Sequence, residues 1–386
     1  MKKSSKIAVV IIFLLLHNIF LAQAWSSRDE SEYLNLTNEE IDLAYGSLLI
    51  EKAIFPDIQI QSTVEIIDKI AIEIKELLAE VKEPLEIITI LNNYLFHYTK
   101  MENNDDCHFL INVINDKCGN CSSLSFFYLS ISDRLNLPFY GVASPLHMFV
   151  RYNDETVRYS IGTTAEGKLI SEEKLIENSN IARSSIENGV YLRRLSKKEI
   201  LASVLNWRGI YYKEQGKYEL AINDYKKALE LNPKFPEAYS GLATAYKLNN
   251  DFVKSLEYSD IAISLNPNFA IALSNRGETK IRLKDYQGAL IDFNLAIEID
   301  PKCLSAFSKR GDLHYLLRDY NNALIDYSLA IEIDPNDGLL FNNRGTIYYL
   351  LHNNDKSLKD WEISSELGCR EGTSNLKKFF PNKEPE

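Results

Sequence analysis

Two cysteines and one histidine carry most of the chemistry that can be read from this chain. The stretch "CGNCSSLSFFYLS" runs from Cys118 to Ser130. A helix is expected from Cys121, because Leu124, Phe127, Ile131 and Leu135 recur three or four apart and Asn136-Leu137-Pro138 ends the run. A cysteine in the first turn of a helix faces backbone N–H groups without partners and the positive end of the helix dipole. Both favour the thiolate. A thiolate nucleophile also needs a base within reach and a third group to orient that base. Of the six histidines, His17 precedes residue 25, His314 and His352 fall in a repeated region, His97 sits in a helix, and His108 lies beside Cys107 in a loop. His147 alone opens an expected strand soon after the Cys121 helix, on the same face as Phe149. The chemistry such a pair supports is acyl transfer: the Cys121 thiolate attacks an amide or peptide carbonyl, and His147 takes up and returns protons.

The same residues admit other readings. "CGNC" at a helix start suits a dithiol redox couple, although such motifs follow a strand and this one follows helices and an Asn-rich turn. Cys107, Cys118 and Cys121 with His108 or His147 offer zinc-ligand types without the usual spacing of a second ligand pair. A Cys107–Cys118 disulfide suits an exported chain and leaves Cys121 free. Last, Cys121 can be a small buried residue and His147 a satisfied strand histidine. No cofactor and no metal is expected.

The elements that must position these residues come next. The stretch "TNEE" at Thr37–Glu40 and "STVE" at Ser62–Glu65 are capping-box patterns, each expected to open a helix. Pro84 is expected to open a third, with Leu85, Ile88, Leu91 and Leu95 on one face. After the Cys121 helix, alternation replaces helical spacing. A small antiparallel sheet is expected, with strands near Phe139–Val142, His147–Tyr152 and Thr156–Ile161 and a turn at Asn153-Asp154. Ser171–Asn188 reads as a helical or loop connector.

The chain has 386 residues, room for at least two domains, and a formal net charge of −11. Without Lys2, Lys3 and Lys6 the balance is −14, which disfavours nucleic acid or an anionic membrane as a partner. Residues 1–24 read as a secretory signal: three lysines, an apolar run from Ile7 to Leu16, and Ala22-Gln23-Ala24 before Trp25. An uncleaved anchor is the alternative, with His17 and Asn18 interrupting it. The mature protein is expected to be exported, periplasmic or secreted, with no membrane span after signal cleavage.

In the second half, Pro233, Pro267, Pro301 and Pro335 stand 34 residues apart, inside "LELNP", "ISLNP", "IEIDP" and "IEIDP". Gly209, Gly277, Gly311 and Gly345 share a second register with Ala243 in the remaining slot. Ala221, Ala289 and Ala323 share a third with Ser255 and Ser357. This pattern, over about five units from residue 200 to 369, is that of tetratricopeptide repeats: all-α helical hairpins that stack into a superhelix with a concave face. Small residues sit where helices cross, and proline ends the second helix of each unit. Residues 370–381 read as a capping helix. "NWRG", "SNRG", "SKRG" and "NNRG" place Arg208, Arg276, Arg310 and Arg344 at one register, either as a ladder of cations facing an acidic partner or as arginines paired with acids such as Asp292 and Asp326. Cys303 and Cys369 read as incidental. A protein or peptide on the concave face is the expected partner. No residue pattern sets an oligomeric state.

Residues 91–152, from "LNNYLFHYTK" through "CGNCSSLSFF" to "SPLHMFVRY", resemble the transglutaminase-like superfamily, closest to the bacterial branch whose core is joined to tetratricopeptide repeats. The resemblance covers roughly Ile87 to Gly167. It implies a multidomain chain: an α+β, papain-like core within residues 25–195, then the repeats. It implies Cys121 as nucleophile, His147 as base, and a third residue on the next strand. There the family pattern resembles "N-I-E-T-T" and this chain reads "SIGTT", so Ser160 and Gly162 replace the amide and the carboxylate. Ser160 could orient the imidazole without a charge; Asp154, Glu155 and Glu166 are the nearby acids. Two functions stay open: a cysteine-dependent amidase, protease or transglutaminase, or an inactive fold within a repeat scaffold.

Overall fold

The computed structural model describes residues 28–381, so the expected signal at 1–24 lies outside the described residues. Among the described residues, no helix is long and apolar enough to cross a membrane. The chain divides into two compact units, one through Phe235 and one from Pro236 on. The first unit therefore takes in the first helical hairpin as well as the α+β core expected over 25–195.

The first unit begins with α1 (Glu30–Leu34), α2 (Leu43–Glu51) and α3 (Ile60–Leu77). Neither capping box opens its helix. At Thr37–Glu40 the box forms, since Glu40 Oε2 accepts from Thr37 N–H at 2.9 Å, but the chain makes only a turn there. Asp42 is the true N-cap of α2, accepting from Tyr45 N–H at 2.8 Å. Ser62 lies inside α3, whose start is set by the buried stripe Val64, Ile67, Ala71 and Ile74 rather than by a cap. The stripe buries against the core, and that burial outweighs the small gain of a side-chain cap. Pro84 does open α4 (Pro84–Asn92), which continues as a π-helical turn, Asn93–Tyr98.

Then come β1 (Glu102–Asn103), α5 (Leu110–Asn115), β2 (Cys118–Gly119) and α6 (Cys121–Arg134). β1 and β2 pair in parallel, Glu102 with Cys118 and Asn103 with Gly119. Cys107 and Cys118 form a disulfide. The buried Glu51 carboxylate caps α5, accepting from the Leu110 and Ile111 N–H groups at 3.0 Å each. α6 ends at Arg134 with Leu135 as its C-cap, and Asn136 then takes a left-handed conformation (φ 53°) two residues before Pro138.

The expected sheet is present and has four strands: β3 (Phe139–Ser144), β4 (His147–Asn153), β5 (Arg158–Gly162) and β6 (Lys168–Ile170), in that order and antiparallel throughout. Val150 lies opposite Gly141 on one side and Ile161 on the other. The connector holds α7 (Glu172–Ser179) and α8 (Arg183–Glu187). α9 (Lys197–Glu214) and α10 (Tyr218–Leu231) make the first hairpin. α9 lies directly on α2: a Cβ added to Gly46 would meet Leu201 Cδ1 at 2.9 Å and Tyr33 Cε1 at 2.8 Å.

The second unit is helical: α11 (Pro236–Leu248), α12 (Phe252–Leu265), α13 (Ala270–Arg282), α14 (Tyr286–Ile299), α15 (Leu304–Leu316), α16 (Tyr320–Ile333), α17 (Gly338–Leu350), α18 (Asn354–Glu366) and α19 (Arg370–Phe379). α19 covers the end, with Phe379 packed on Tyr349 and Trp361 at ring distances of 4.4 and 5.4 Å. Each prolyl residue of the 34-residue register stands two positions after a helix end. Within each hairpin the turn is a Schellman motif, as in Asp285 N–H to Lys280 O and Lys284 N–H to Ile281 O, both 2.9 Å. The left-handed residue of that turn repeats at Asn250, Lys284, Arg318 and His352, as it does at Gly216 in the first hairpin.

The small-residue register has a visible cause. A Cβ on Gly277 would stand 2.8 Å from Phe293, and one on Gly345 would stand 2.9 Å from Trp361. Where the facing register holds Ser259 instead of an aromatic ring, the small residue is Ala243 rather than glycine. The arginine register is a set of ion pairs. Arg276 grips Asp292 through Nε and Nη2 (2.9 and 2.6 Å), Arg310 grips Asp326 alike, and Arg344 grips Asp360 (2.8 and 2.9 Å). The third nitrogen of each reaches back sixteen residues, to Asp260, Asn294 and Ser328. Each arginine thus joins the second helix of its own hairpin to that of the one before.

Candidate active site

The end of α6 nearest the sheet is built with unusual care. Asn120 is its N-cap, and the Asn120 side-chain oxygen accepts from the N–H groups of Ser122 (2.9 Å) and Ser123 (3.1 Å). Ser123 Oγ accepts in turn from Asn120 N–H at 3.0 Å and donates to Cys107 O at 2.7 Å. The carbonyl of a disulfide cysteine is therefore tied to the first turn of the Cys121 helix. On the other side, Thr163 Oγ1 donates to Cys121 O at 3.3 Å and meets Ser125 Oγ at 3.1 Å. Among the described residues no acceptor takes the Cys121 N–H, which leaves a backbone donor beside the sulfur.

Cys121 is a free thiol. The first turns of α6 lie against the start of β4, where Ser125 Oγ donates to Met148 O at 3.4 Å, and Cys121 lies within electrostatic reach of the imidazole of His147, which stands at the first position of β4, after Leu146 in a left-handed turn (φ 56°). Burial pushes the Cys121 thiol up, but the pull of His147, helped by the Met148 N–H and the Ser122 hydroxyl, holds it below the usual cysteine value. Burial likewise opposes charge on His147, and the pull of Cys121 outweighs it, so His147 is raised. The two shifts have the same meaning: the site favours a thiolate–imidazolium pair.

The structure brings Cys121 and His147 together and does not bring Ser160 to them. Ser160 is buried beside Arg151, its cross-strand partner, and accepts from Arg151 Nε at 3.1 Å. The β4–β5 register that sets Val150 against Ile161 would carry His147 past the end of β5. Asp154 caps the turn after β4, taking bonds from Thr156, Val157 and Tyr152, which hold its carboxyl at about 2. The acid whose field reaches His147 is Asp105, two residues before the disulfide cysteine Cys107. Sequence reasoning missed it, since nothing in the spacing links residue 105 to residue 147. The disulfide also removes the other readings of the cysteines: Cys118 is bonded to Cys107, so neither the Cys118–Cys121 redox couple nor the zinc set is present. Among the described residues no His, Cys, Asp or Glu cluster could hold a metal ion.

Residues 61–206 match the transglutaminase-like superfamily, residues 209–250 match a TPR repeat, and residues 270–303 and 304–337 each match a tetratricopeptide repeat. The chain joins a transglutaminase-like domain to tetratricopeptide repeats. No curated protein matches it. Among solved structures it is similar to a thermophilic TPR protein of Thermus thermophilus (18% identity, 45% of this chain and 99% of that one, TM-score 0.41). It is also similar to PilF of Pseudomonas aeruginosa (17%, 48% and 95%, TM-score 0.42) and to MamA from Desulfovibrio magneticus RS-1 (17%, 43% and 94%, TM-score 0.37). The transglutaminase-like match spans α3 to the middle of α9, and so contains both Cys121 and His147.

Proposed function

We propose that the transglutaminase-like domain is a cysteine-dependent acyl-transfer enzyme acting on amide or peptide bonds, and that the repeats bind the protein or peptide that serves as substrate or partner. The observation that carries this reading is the placement of the free Cys121 thiol at a helix N-terminus against the start of the strand that carries the His147 imidazole, each group favouring the charged form of the other. The thiolate sulfur would bond to the carbonyl carbon, the C–N bond would break, and His147 would give its proton to the departing amine. The thioester would then pass its acyl group to water, as in an amidase, or to an amine, as in a transglutaminase. The free Cys121 N–H supports the developing oxyanion. The Cys107–Cys118 disulfide supports an oxidising compartment, in keeping with an export signal at residues 1–24.

The test is alkylation of the full chain by iodoacetamide, mapped by peptide mass so that Cys303 and Cys369 serve as internal references. Cys121 should react through a thiolate limb lying below the ordinary cysteine range of about 8.5. Turnover should be bell-shaped, because the ion pair forms as pH rises through the lowered Cys121 value and is lost as pH rises through the raised His147 value. His147→Ala should move the thiolate limb upward and slow labelling near neutrality by an order of magnitude or more, since each pH unit the limb moves is worth about tenfold in thiolate. Equal, slow labelling of every thiol would leave only a scaffold that binds a partner.

A further inference from the structure

The N-cap of the Cys121 helix is itself held from the first repeat hairpin. Asn120 has its side-chain oxygen committed to two backbone N–H groups. Its amide nitrogen therefore points the other way, and lies 2.8 Å from His108 Nδ1. An NH2 group can only donate, so His108 Nδ1 must accept, which fixes the neutral tautomer with the proton on Nε2. The His108 ring lies flat on the indole of Trp207, with centroids 4.0 Å apart and planes 11° from parallel. Trp207 belongs to α9, the first helix of the first hairpin. At its register the other hairpins carry Gly241, Asn275, Lys309 and Asn343, so the indole is specific to the hairpin beside the site.

We propose that Trp207, His108 and Asn120 form a positioning relay, through which the first repeat helix holds the turn that presents Cys121. The relay rests on the acyl-transfer reading of Cys121 and His147, and its members are positioning residues that act through the helix cap. It makes the first repeat part of the active site rather than an appended binding module. It also installs a second titrating group on the acid side. Protonated His108 would turn a hydrogen toward the Asn120 NH2 group, donor against donor, and the cap would let go. Burial beneath Trp207 holds the His108 imidazole below its ordinary value, against the pull of Asp106, Glu214 and Asp105, the acids that face it from its own loop and from α9. Phe109 meets it edge-on at 6.4 Å. The cap is therefore intact near neutrality and fails only in acid.

The experiment is the pH profile of Cys121 alkylation in the full chain. His108→Phe keeps a ring on Trp207 and removes the acceptor. It should lower the rate near pH 7.5 about fivefold, the scale of one lost helix cap. It should also reduce the acid-side slope from two protons to one. Trp207→Ala keeps the acceptor but exposes it to water, so the steep limb should move to higher pH. As a measurement on unaltered protein, indole fluorescence should change on acidification with the same midpoint as the steep limb, and Trp207→Phe should abolish that change. Rates and slopes for His108→Phe within twofold of wild type, or a fluorescence midpoint apart from the limb, would overturn the relay. His147→Ala separates this from the underlying reading. If His147→Ala leaves Cys121 labelling unchanged, the acyl-transfer reading fails; if only the His108 and Trp207 variants are silent, the relay alone fails.

Discussion

The two halves of this chain solve the same problem, fixing polar side chains among helices, in opposite ways. In the repeats one solution is used again and again: an arginine, an aspartate sixteen residues later, a glycine under a ring, a left-handed residue in the turn. In the transglutaminase-like domain each solution occurs once, as in Glu51 under α5, Arg151 on Ser160, and Asn120 between α6 and His108. Repetition spreads stability over equivalent units, whereas the one-off half depends on single groups whose loss has no substitute nearby.

That contrast can be broken most sharply at the ion pairs. Asp326 is almost fully buried, so Arg310→Ala should cost about 3 kcal/mol or more in denaturant unfolding, because a carboxylate is left without its partner. The second hairpin shows the alternative. It carries Leu242 and Tyr258 at those registers, and the double change Arg310→Leu with Asp326→Tyr should therefore come out close to neutral by the same measurement. Next in size is the disulfide. Replacing Cys107 and Cys118 by serine opens an eleven-residue separation and should cost about 3 kcal/mol. It should also slow Cys121 alkylation, because the Cys107 carbonyl holds the α6 turn through Ser123.

Smaller effects sharpen the comparison among hairpins. Gly277→Ala puts a methyl 2.8 Å from Phe293 and should lower stability by about 1–3 kcal/mol. Ala243→Gly, facing Ser259, should cost only about 1 kcal/mol, the helix-propensity difference. Smallest and opposite in sign, Lys284→Gly removes a side chain from a left-handed turn (φ 64°) and should raise stability by up to about 1 kcal/mol.

What could be read from the sequence follows the same division. The hairpins were legible because five noisy copies agree, so single departures such as Ala243 or Ser259 did not hide the register. The sheet was legible from alternation, although β6 and the two-residue parallel pair were too short to signal. The places of Cys121 at a helix start and His147 at a strand start were legible because both are local patterns. Ser160 was misplaced for a non-local reason. Which residue faces a strand's first position depends on cross-strand register, and here β5 spends Ser160 on Arg151. Asp105 and the Asn120–His108–Trp207 contacts were invisible because their partners lie 12 to 99 residues apart and meet only in the folded chain.

One bond has a consequence for how this gene can be cut. Arg208 holds Asp224 through Nε and Nη2 as its counterparts hold theirs, but its Nη1 reaches Glu30 and the Ile50 carbonyl, and Nη2 also reaches Glu30, where later arginines find a preceding hairpin. The opening helices thus stand in for a missing repeat. A fragment beginning at residue 197 would expose the leucine face of its leading helix and strand a charge. The first hairpin is thus bound to the opening helices and cannot be parted from them without losing what covers it.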